Sequence, residues 1–295
     1  MSKKYSLDEY VNIINNYLDS KVGECSFGED IAHRAMKYSL SIGGKRIRPV
    51  LVLEFCRICG GDIYKALPFA TAIEMIHTYS LIHDDLPCMD NDDIRRGMPS
   101  CHKKFGEEYA LLAGDGLLTR AFGVIAESDI AKETPEIAIK AIAELSALSG
   151  VDGMIGGQVV DLRNEDKPCS LEVLRTIDSL KTGALIKCAA ILGVYAANGT
   201  QEELASAVTF AENLGHAFQI VDDILDVIGD EKELGKPIGS DADSNKSTYV
   251  SILGIDKSKE YADELTNKAI SSLDIFGDDA EFLKRLAISL ISRKN

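Results

Sequence analysis

Two groups of aspartates stand apart from the scattered surface charge of this sequence. The first is Asp84, Asp85 and Asp90, at the end of an apolar run over residues 73–83 and followed closely by Arg95 and Arg96. The second is Asp222, Asp223 and Asp226, with Ile220 and Val221 before it and Val227 and Ile228 after it. Surface acids normally line the polar face of an amphipathic helix, whereas these have apolar neighbours on both sides. Asp222 and Asp226 are four apart, so on a helix they share a face and repel by a few tenths of a kcal/mol. Such a set calls for a cation, and the bland reading, two solvated acidic caps, does not account for the apolar flanks. Oxygen ligands with no Cys or His cluster beside them favour a hard divalent ion, magnesium before zinc. Pro87 cannot continue a regular helix, because it lacks an N–H and clashes with the preceding turn. The chain must distort near Leu86; an undistorted helix would leave Asp90 about 240° round from Asp84, so a return of Asp90 towards Asp84 is an expectation. Magnesium usually takes one or two carboxylates and fills its octahedron with water and substrate phosphate. The two clusters therefore suggest a polyphosphate held between two helices.

Basic groups answer them, although Lys and Arg (32) are outnumbered by Asp and Glu (47), giving a formal net charge of −15. Gly43 and Gly44 lead into Lys45, Arg46 and Arg48, on a flexible turn that opens a helix at Pro49. A helix N-terminus carrying Lys and Arg is a ready anion site. Arg95 and Arg96 follow the first acidic cluster, Lys181 and Thr182 interrupt an apolar stripe, and Lys236 and Lys246 lie in a polar, glycine-rich stretch. Singly each is an ordinary surface cation. As a set they suggest two phosphate subsites, one bridged by metal and one bound by Lys and Arg alone.

The elements that must carry these residues read as helices. Three- and four-residue apolar steps recur over 6–20, 29–42, 49–59, 64–86, 107–128, 135–150, 171–197, 201–228, 257–273 and 279–292. Glycine, proline and asparagine punctuate them. No segment sustains the two-residue alternation of a strand, so the expectation is an all-α, single-domain multi-helix bundle spanning residues 1–295. The exception is about 229–250, too polar for a core helix and read as a lid loop. Asp241, Asp243 and Asn245 start like a calcium loop, but Lys246 replaces its glycine and Ile252 its final glutamate.

Composition narrows the function classes. The acidic balance argues against nucleic acid as a partner. No run reaches the ~18 uninterrupted apolar residues of a spanning helix, so stable membrane association is not expected. The seven cysteines are an odd number, and residues 1–10 lack the apolar core of a signal peptide, which together favour a reducing cytoplasm. Cys56 and Cys59 have redox-motif spacing and read as core and rim thiols of a helix.

At this point the sequence resembles the trans-prenyltransferases, the isoprenoid diphosphate synthases, most of all the farnesyl diphosphate synthases of bacterial type. The motifs occur in the family's order from Gly43 to Tyr249. They comprise Gly43-Gly-Lys45-Arg-Ile-Arg48-Pro, then Tyr79 and Ser80 ahead of Asp84-Asp85 and Asp90, and Arg95-Arg96-Gly. Ala113-Gly-Asp115, Gly156-Gly157-Gln158 and Lys181-Thr182-Gly follow, then Phe218-Gln219 with Asp222, Asp223 and Asp226, and finally Lys236 and Lys246-Ser-Thr-Tyr.

The resemblance implies helices around a deep central cavity, usually a homodimer, and three magnesium ions. It implies that Asp84, Asp85, Asp90, Asp222, Asp223 and Asp226 bind the metal. By the same likeness Arg95, Lys181, Lys236 and Lys246 hold an allylic diphosphate, Thr182 and Gln219 line that site, and Gln158 and Asp161 support it. Lys45, Arg48, His77 and Arg96 then hold isopentenyl diphosphate, while His83 reads as a core histidine. The implied reaction is head-to-tail condensation of isopentenyl diphosphate with dimethylallyl and geranyl diphosphate to give farnesyl diphosphate. Tyr79 and Ser80, one turn and more before Asp84, would form the floor that sets chain length. Two alternatives stay open: a geranylgeranyl diphosphate synthase of the same mechanism, and a non-catalytic subunit that tunes one. A terpene cyclase fits less well, since its second metal motif mixes Asn, Ser and Glu.

Overall fold

The computed structural model describes residues 3–22, 31–165, 167–228 and 247–292. The proposed lid falls largely outside them, Lys236 and Lys246 included. The described chain forms two compact units, one drawn from Met1–Ala143 and Tyr195–Asn198, the other from Glu144–Val194 and Gly199–Asn295.

The first unit begins with α1 (Leu7–Val22), opened by reciprocal bonds between Ser6 and Glu9 that satisfy two otherwise orphaned N–H groups. Then come α2 (Ile31–Ser41), α3 (Ile47–Ile58) and α4 (Ile63–Asp84). Asp62 caps α4 by accepting from the Tyr64 N–H at 2.9 Å. Nearly every side chain of α4 from Ile63 to Ile76 is buried, because α3 and the long α6 (Glu107–Ala126) cover it. A helix apolar all round is a core helix, and α4 is the axis of this unit. Between α4 and α6 lie a two-residue hairpin, β1 (Ile94–Arg95) with β2 (Met98–Pro99), and the short α5 (Cys101–Phe105). The hairpin is the small exception to an all-helical reading. By length and composition α6 could cross a membrane, but it carries Asp115 and Arg120 and packs on α4 and α2. The short α7 (Asp129–Glu133) follows, and α8 (Pro135–Ser149) leads out of the unit.

The second unit contains α9 (Met154–Arg163), α10 (Leu171–Ile177), a π-helical turn (Asp178–Gly183), α11 (Ala184–Ala196) and α12 (Gln201–Ile228). It ends with α13 (Tyr249–Leu253), α14 (Ile255–Ser272), a 3₁₀ stretch (Leu273–Ala280) and α15 (Glu281–Ile291). Thr200 and Glu203 box the start of α12, and Thr248 and Ser251 box α13. Its core gathers Leu174, Ala217, Ile220, Val221, Ile224, Tyr249, Ala262 and Leu265.

Two departures from the periodicity reading bear on the site. Helix α9 was not expected, because its apolar residues Ile155, Val159 and Leu162 are exposed and Gly156 and Gly157 weaken helix propensity. The stretch 171–197, read as one helix, opens into the π-turn at Lys181 and Thr182. Insertions of this kind are frequent at functional positions.

Candidate active site

The first acidic motif sits where α4 runs out. Asp84 is its last residue and Asp85 its C-cap. The chain then doubles back: Leu86 C=O accepts from Met89 and Asn91, and the Asp90 N–H donates to Asp84 C=O at 2.9 Å. Asn91 takes the left-handed conformation at φ +53 to make the reversal. The break at Pro87 thus returns Asp90 to Asp84, with Asp90 exposed and Asp84 half-buried. Cys88, inside this turn, is exposed. Asp85 is 2% exposed and its carboxylate is gripped by the Arg95 guanidinium, Nε to Oδ1 at 3.0 Å with Nη2 on the same oxygen. Burial pushes the Asp85 carboxyl up, against the pull of Arg95. Arg95 also reaches Asp92 at 3.2 Å. It therefore braces the acidic motif, beside which the resemblance also assigns it to the allylic diphosphate.

The basic turn before α3 divides its cations. Lys45 is exposed, while Arg46 turns inward in the left-handed conformation (φ 50), pairing with buried Glu74 at 2.6 Å and donating to Leu40 C=O and Asn15. Arg46 is thus a structural cation that anchors the turn to α4, while Lys45 stays exposed. Arg48 Nη1 lies 3.4 Å from His77 Nε2, and the Arg48 Nε is buried with no hydrogen-bond partner among the described residues. Arg96, in the left-handed region at φ 53, donates to Gly43 C=O. A Cβ on Gly44 would come within 2.5 Å of its guanidinium. Burial, then Arg48 and Arg96, hold His77 well below the ordinary imidazole range, so it stays neutral. Burial brings Arg48 down to about 10, still charged at neutral pH. Arg48, Arg96 and neutral His77 make a compact cationic group with an unspent donor, suited to an anion.

One turn before the motif, Tyr79 is buried with its hydroxyl unpartnered among the described residues and pushed up by burial to about 12. Its ring meets His83 edge-on at 5.7 Å. Ser80 Oγ donates to His77 C=O at 2.9 Å. His83 Nε2 lies 3.0 Å from Leu111 C=O and fits against Gly114, where any Cβ would fall 2.0 Å from that nitrogen. It is a satisfied packing residue.

In the second unit α12 carries Asp222, Asp223 and Asp226, the last two buried. Asp223 accepts from the Tyr249 N–H at 2.8 Å and, through its other oxygen, from Gln219 Nε2 at 3.4 Å. Gln219 Oε1 in turn accepts from Thr182 Oγ1 at 3.4 Å. Lys181 pairs with Asp161 of α9 at 2.7 Å. On the same helix both amide atoms of Gln158 are buried without hydrogen-bond partners among the described residues. The structure thus brings Thr182, Gln219 and Asp223 into one chain of contacts, and Lys181 onto its supporting carboxylate. Asp178 and Glu74 were not singled out by the sequence reading, and Tyr249 entered it only as the last residue of the Lys246-Ser-Thr-Tyr motif. A lone acid inside an apolar run was the available signal for the first two.

Among the described residues no three His, Cys, Asp or Glu side chains already stand together as a cation cage. The donors nevertheless suit magnesium. They are aspartate oxygens alone, and such an ion needs only one or two of them when phosphate and water supply the rest.

Comparison with known proteins follows the same outline. Residues 29–280 match the polyprenyl synthetase family. The chain is 46% identical over 274 residues to an Arabidopsis thaliana protein named heterodimeric geranylgeranyl pyrophosphate synthase large subunit 1, chloroplastic, covering 90% of this chain and 72% of that one. It is 48% identical over 227 residues to farnesyl diphosphate synthase of Geobacillus stearothermophilus, covering 77% and 76%. A crystal structure of an FPP/GFPP synthase from Zymomonas mobilis superposes with a TM-score of 0.86 at 34% identity, covering 97% of each chain.

Proposed function

The chain belongs to the polyprenyl synthetase family and is a trans-prenyl diphosphate synthase, and from that premise we propose that its main product is farnesyl diphosphate. The observation that carries the fifteen-carbon product is Tyr79. It is a bulky ring, buried in α4 five residues before Asp84, or about 7.5 Å down the helix at 1.5 Å per residue. A ring at that depth would stop a growing chain, with Ser80 beside it as the smaller part of the floor.

In this reading isopentenyl diphosphate is held by Lys45, Arg48, Arg96 and His77. Neutral His77 adds no repulsion to the arginines, and the free Arg48 Nε supplies a donor. The allylic diphosphate is held by Lys181 and Arg95, with Lys236 and Lys246 from outside the described residues. Thr182 and Gln219 orient it. Asp84, Asp85, Asp90, Asp222, Asp223 and Asp226 would hold magnesium, three ions per site. Bound there, magnesium would supply Lewis-acid neutralisation of the departing diphosphate. Lys181, steadied by Asp161, stabilises the same charge as it develops, which is where fixed cations contribute most to rate. The allylic cation so formed is attacked by the double bond of isopentenyl diphosphate, and the departed diphosphate takes the proton that the new cation loses. No protein nucleophile is required. The reading includes a homodimer acting in the cytoplasm. Support for the dimer comes from the apolar, exposed Leu111 and Leu112 of α6, and for the location from the odd cysteine count.

The test is incubation with magnesium, labelled isopentenyl diphosphate and either dimethylallyl or geranyl diphosphate, then chromatography of the dephosphorylated products. A dominant fifteen-carbon alcohol is expected, and Tyr79→Ala should lengthen it. Relatives named geranylgeranyl synthases favour a second reading, a twenty-carbon product. That outcome would keep the chemistry and remove Tyr79 as the floor.

A further inference from the structure

One guanidinium joins four helices at the basic turn. Arg46 is the residue before α3, and its C=O accepts the first bond of that helix, from the Val50 N–H at 3.0 Å. Its side chain serves the other three. Nη1 donates to Glu74 Oε1 of α4 at 2.6 Å, Nη2 to Leu40 C=O of α2, and Nε to Asn15 Oδ1 of α1 at 3.0 Å. The Arg46 and Glu74 side chains are both almost wholly buried. The left-handed backbone at Arg46 is unfavourable for any residue but glycine and persists only where the surroundings fix it. Glu74 stands one helical turn before His77 on α4, and Arg48 two residues after Arg46. The Arg46–Glu74 pair and the Arg48–His77 contact at 3.4 Å therefore join the same two elements, one helical turn apart.

We propose that Glu74 is a positioning residue for the isopentenyl diphosphate subsite: through Arg46 it fixes the turn that carries Lys45 and Arg48 against His77 of α4. Stability does not explain the pair, because desolvation leaves a buried ion pair about level with apolar residues of the same size. What the pair supplies is direction. An apolar contact would hold the turn near α4 in many arrangements, whereas three directed bonds from one rigid guanidinium select one. The Glu74 carboxylate also favours the charged forms of Arg48 and Arg96, which keeps the group cationic against the cost of burial. Loss of the tie should appear in the affinity for isopentenyl diphosphate. Geranyl diphosphate, assigned mainly to Lys181, Thr182 and Gln219 of the second unit, should be unaffected.

The proposal rests on the prenyltransferase reading above, and the experiment separates the two. Wild-type protein, Glu74→Gln, Asn15→Ala and the double variant Arg46→Met/Glu74→Leu are compared. Titration calorimetry gives the Kd for isopentenyl diphosphate, turnover gives the KM for each substrate, and thermal unfolding verifies the fold. The double variant replaces the pair by apolar side chains of similar size, so it should melt close to wild type. Its Kd and KM for isopentenyl diphosphate should rise about ten-fold or more, the effect of losing a hydrogen bond to a charged group. Its kcat and its KM for geranyl diphosphate should stay within about two-fold. Glu74→Gln keeps an oxygen that can accept from Arg46 and should stay within about three-fold of wild type. Asn15→Ala, at an exposed position, removes the tie to α1 and should raise the isopentenyl diphosphate constants about three-fold. It decides the matter if the double variant does not fold. Wild-type constants in a folded double variant or in Asn15→Ala, an equal rise for both substrates, or Glu74→Gln as weak as the double variant would overturn the positioning role and leave the activity standing. A wild type that neither binds isopentenyl diphosphate nor turns over would overturn both.

Discussion

Burial drives the Asp178 carboxyl up to about 8 from an ordinary 3.8, so at neutral pH it is largely protonated and adds little charge to the acidic face nearby. Between those two values the folded chain keeps a proton that the unfolded chain has lost. The associated stability is complete below about pH 4 and is lost as pH rises through about 8. Asparagine in that place does not titrate. Asp178→Asn should therefore gain thermal stability over wild type as pH is raised from about 5 to about 9, then level off, in unfolding scans run with chelator present. An advantage that shrinks over this range would contradict the assignment. His77 works in the other direction: held neutral, it costs stability as pH falls below the imidazole range. At this scale the sequence was informative where spacing carried meaning. The four-residue step of Asp222 and Asp226 and the proline after Asp85 both indicated their geometry. Arg46 was not legible in this way. Three cations lie within Lys45–Arg48, and nothing in the string says that the middle one turns inward to Glu74.

The π-turn carries Lys181 and Thr182, to which the proposed reading gives the allylic diphosphate, and glycines on both sides let it be approached closely. A Cβ on Gly157 of α9 would fall 2.2 Å from the Lys181 N, and one on Gly215 of α12 would fall 3.1 Å from the Gly183 Cα. The first contact is with backbone and leaves no room to adjust. Gly157→Ala should cost about 1–3 kcal/mol, the usual range for overpacking, and should raise the allylic KM by displacing Lys181. Gly116→Ala in α6 is the control. Its Cβ would meet only the Met36 sulfur at 2.8 Å, the flexible end of a side chain. The gain of about 1 kcal/mol in helix propensity should roughly offset that repacking. Thermal unfolding of the pair is the measurement, and equal destabilisation would argue against a tightly held turn. Periodicity revealed the longer helices other than α9, but not the short α5, α7 and α13 or this turn. Close backbone approach uses small residues and bends the helical period at the turn, and α9 leaves its apolar residues exposed.

At the scale of the molecule, a chain of net charge −15 is expected to bind substrates that are themselves anionic. In the proposed reading, basic groups at Lys45, Arg48, Arg95, Arg96 and Lys181 would supply local attraction, and divalent cations on the aspartates the remainder. Each compact unit has its own apolar core, α4 with α3 and α6 in one, α12 with α13 and α14 in the other. Chelator should therefore abolish turnover, and magnesium restore it, with the helical circular dichroism signal unchanged throughout. Loss of helicity on chelation would mean that the ions also hold the fold. The all-helical class was legible in the apolar steps, whereas the division into units was not, because contacts distant in sequence create it. The reversal after Pro87 also has a practical use. Among the described cysteines Cys88 alone is exposed, while Cys56 and Cys188 are deeply buried and their thiols are pushed up by that burial. A maleimide dye would thus attach first at Cys88, two residues from Asp90, and its fluorescence would report magnesium and diphosphate arriving at the first acidic motif in real time.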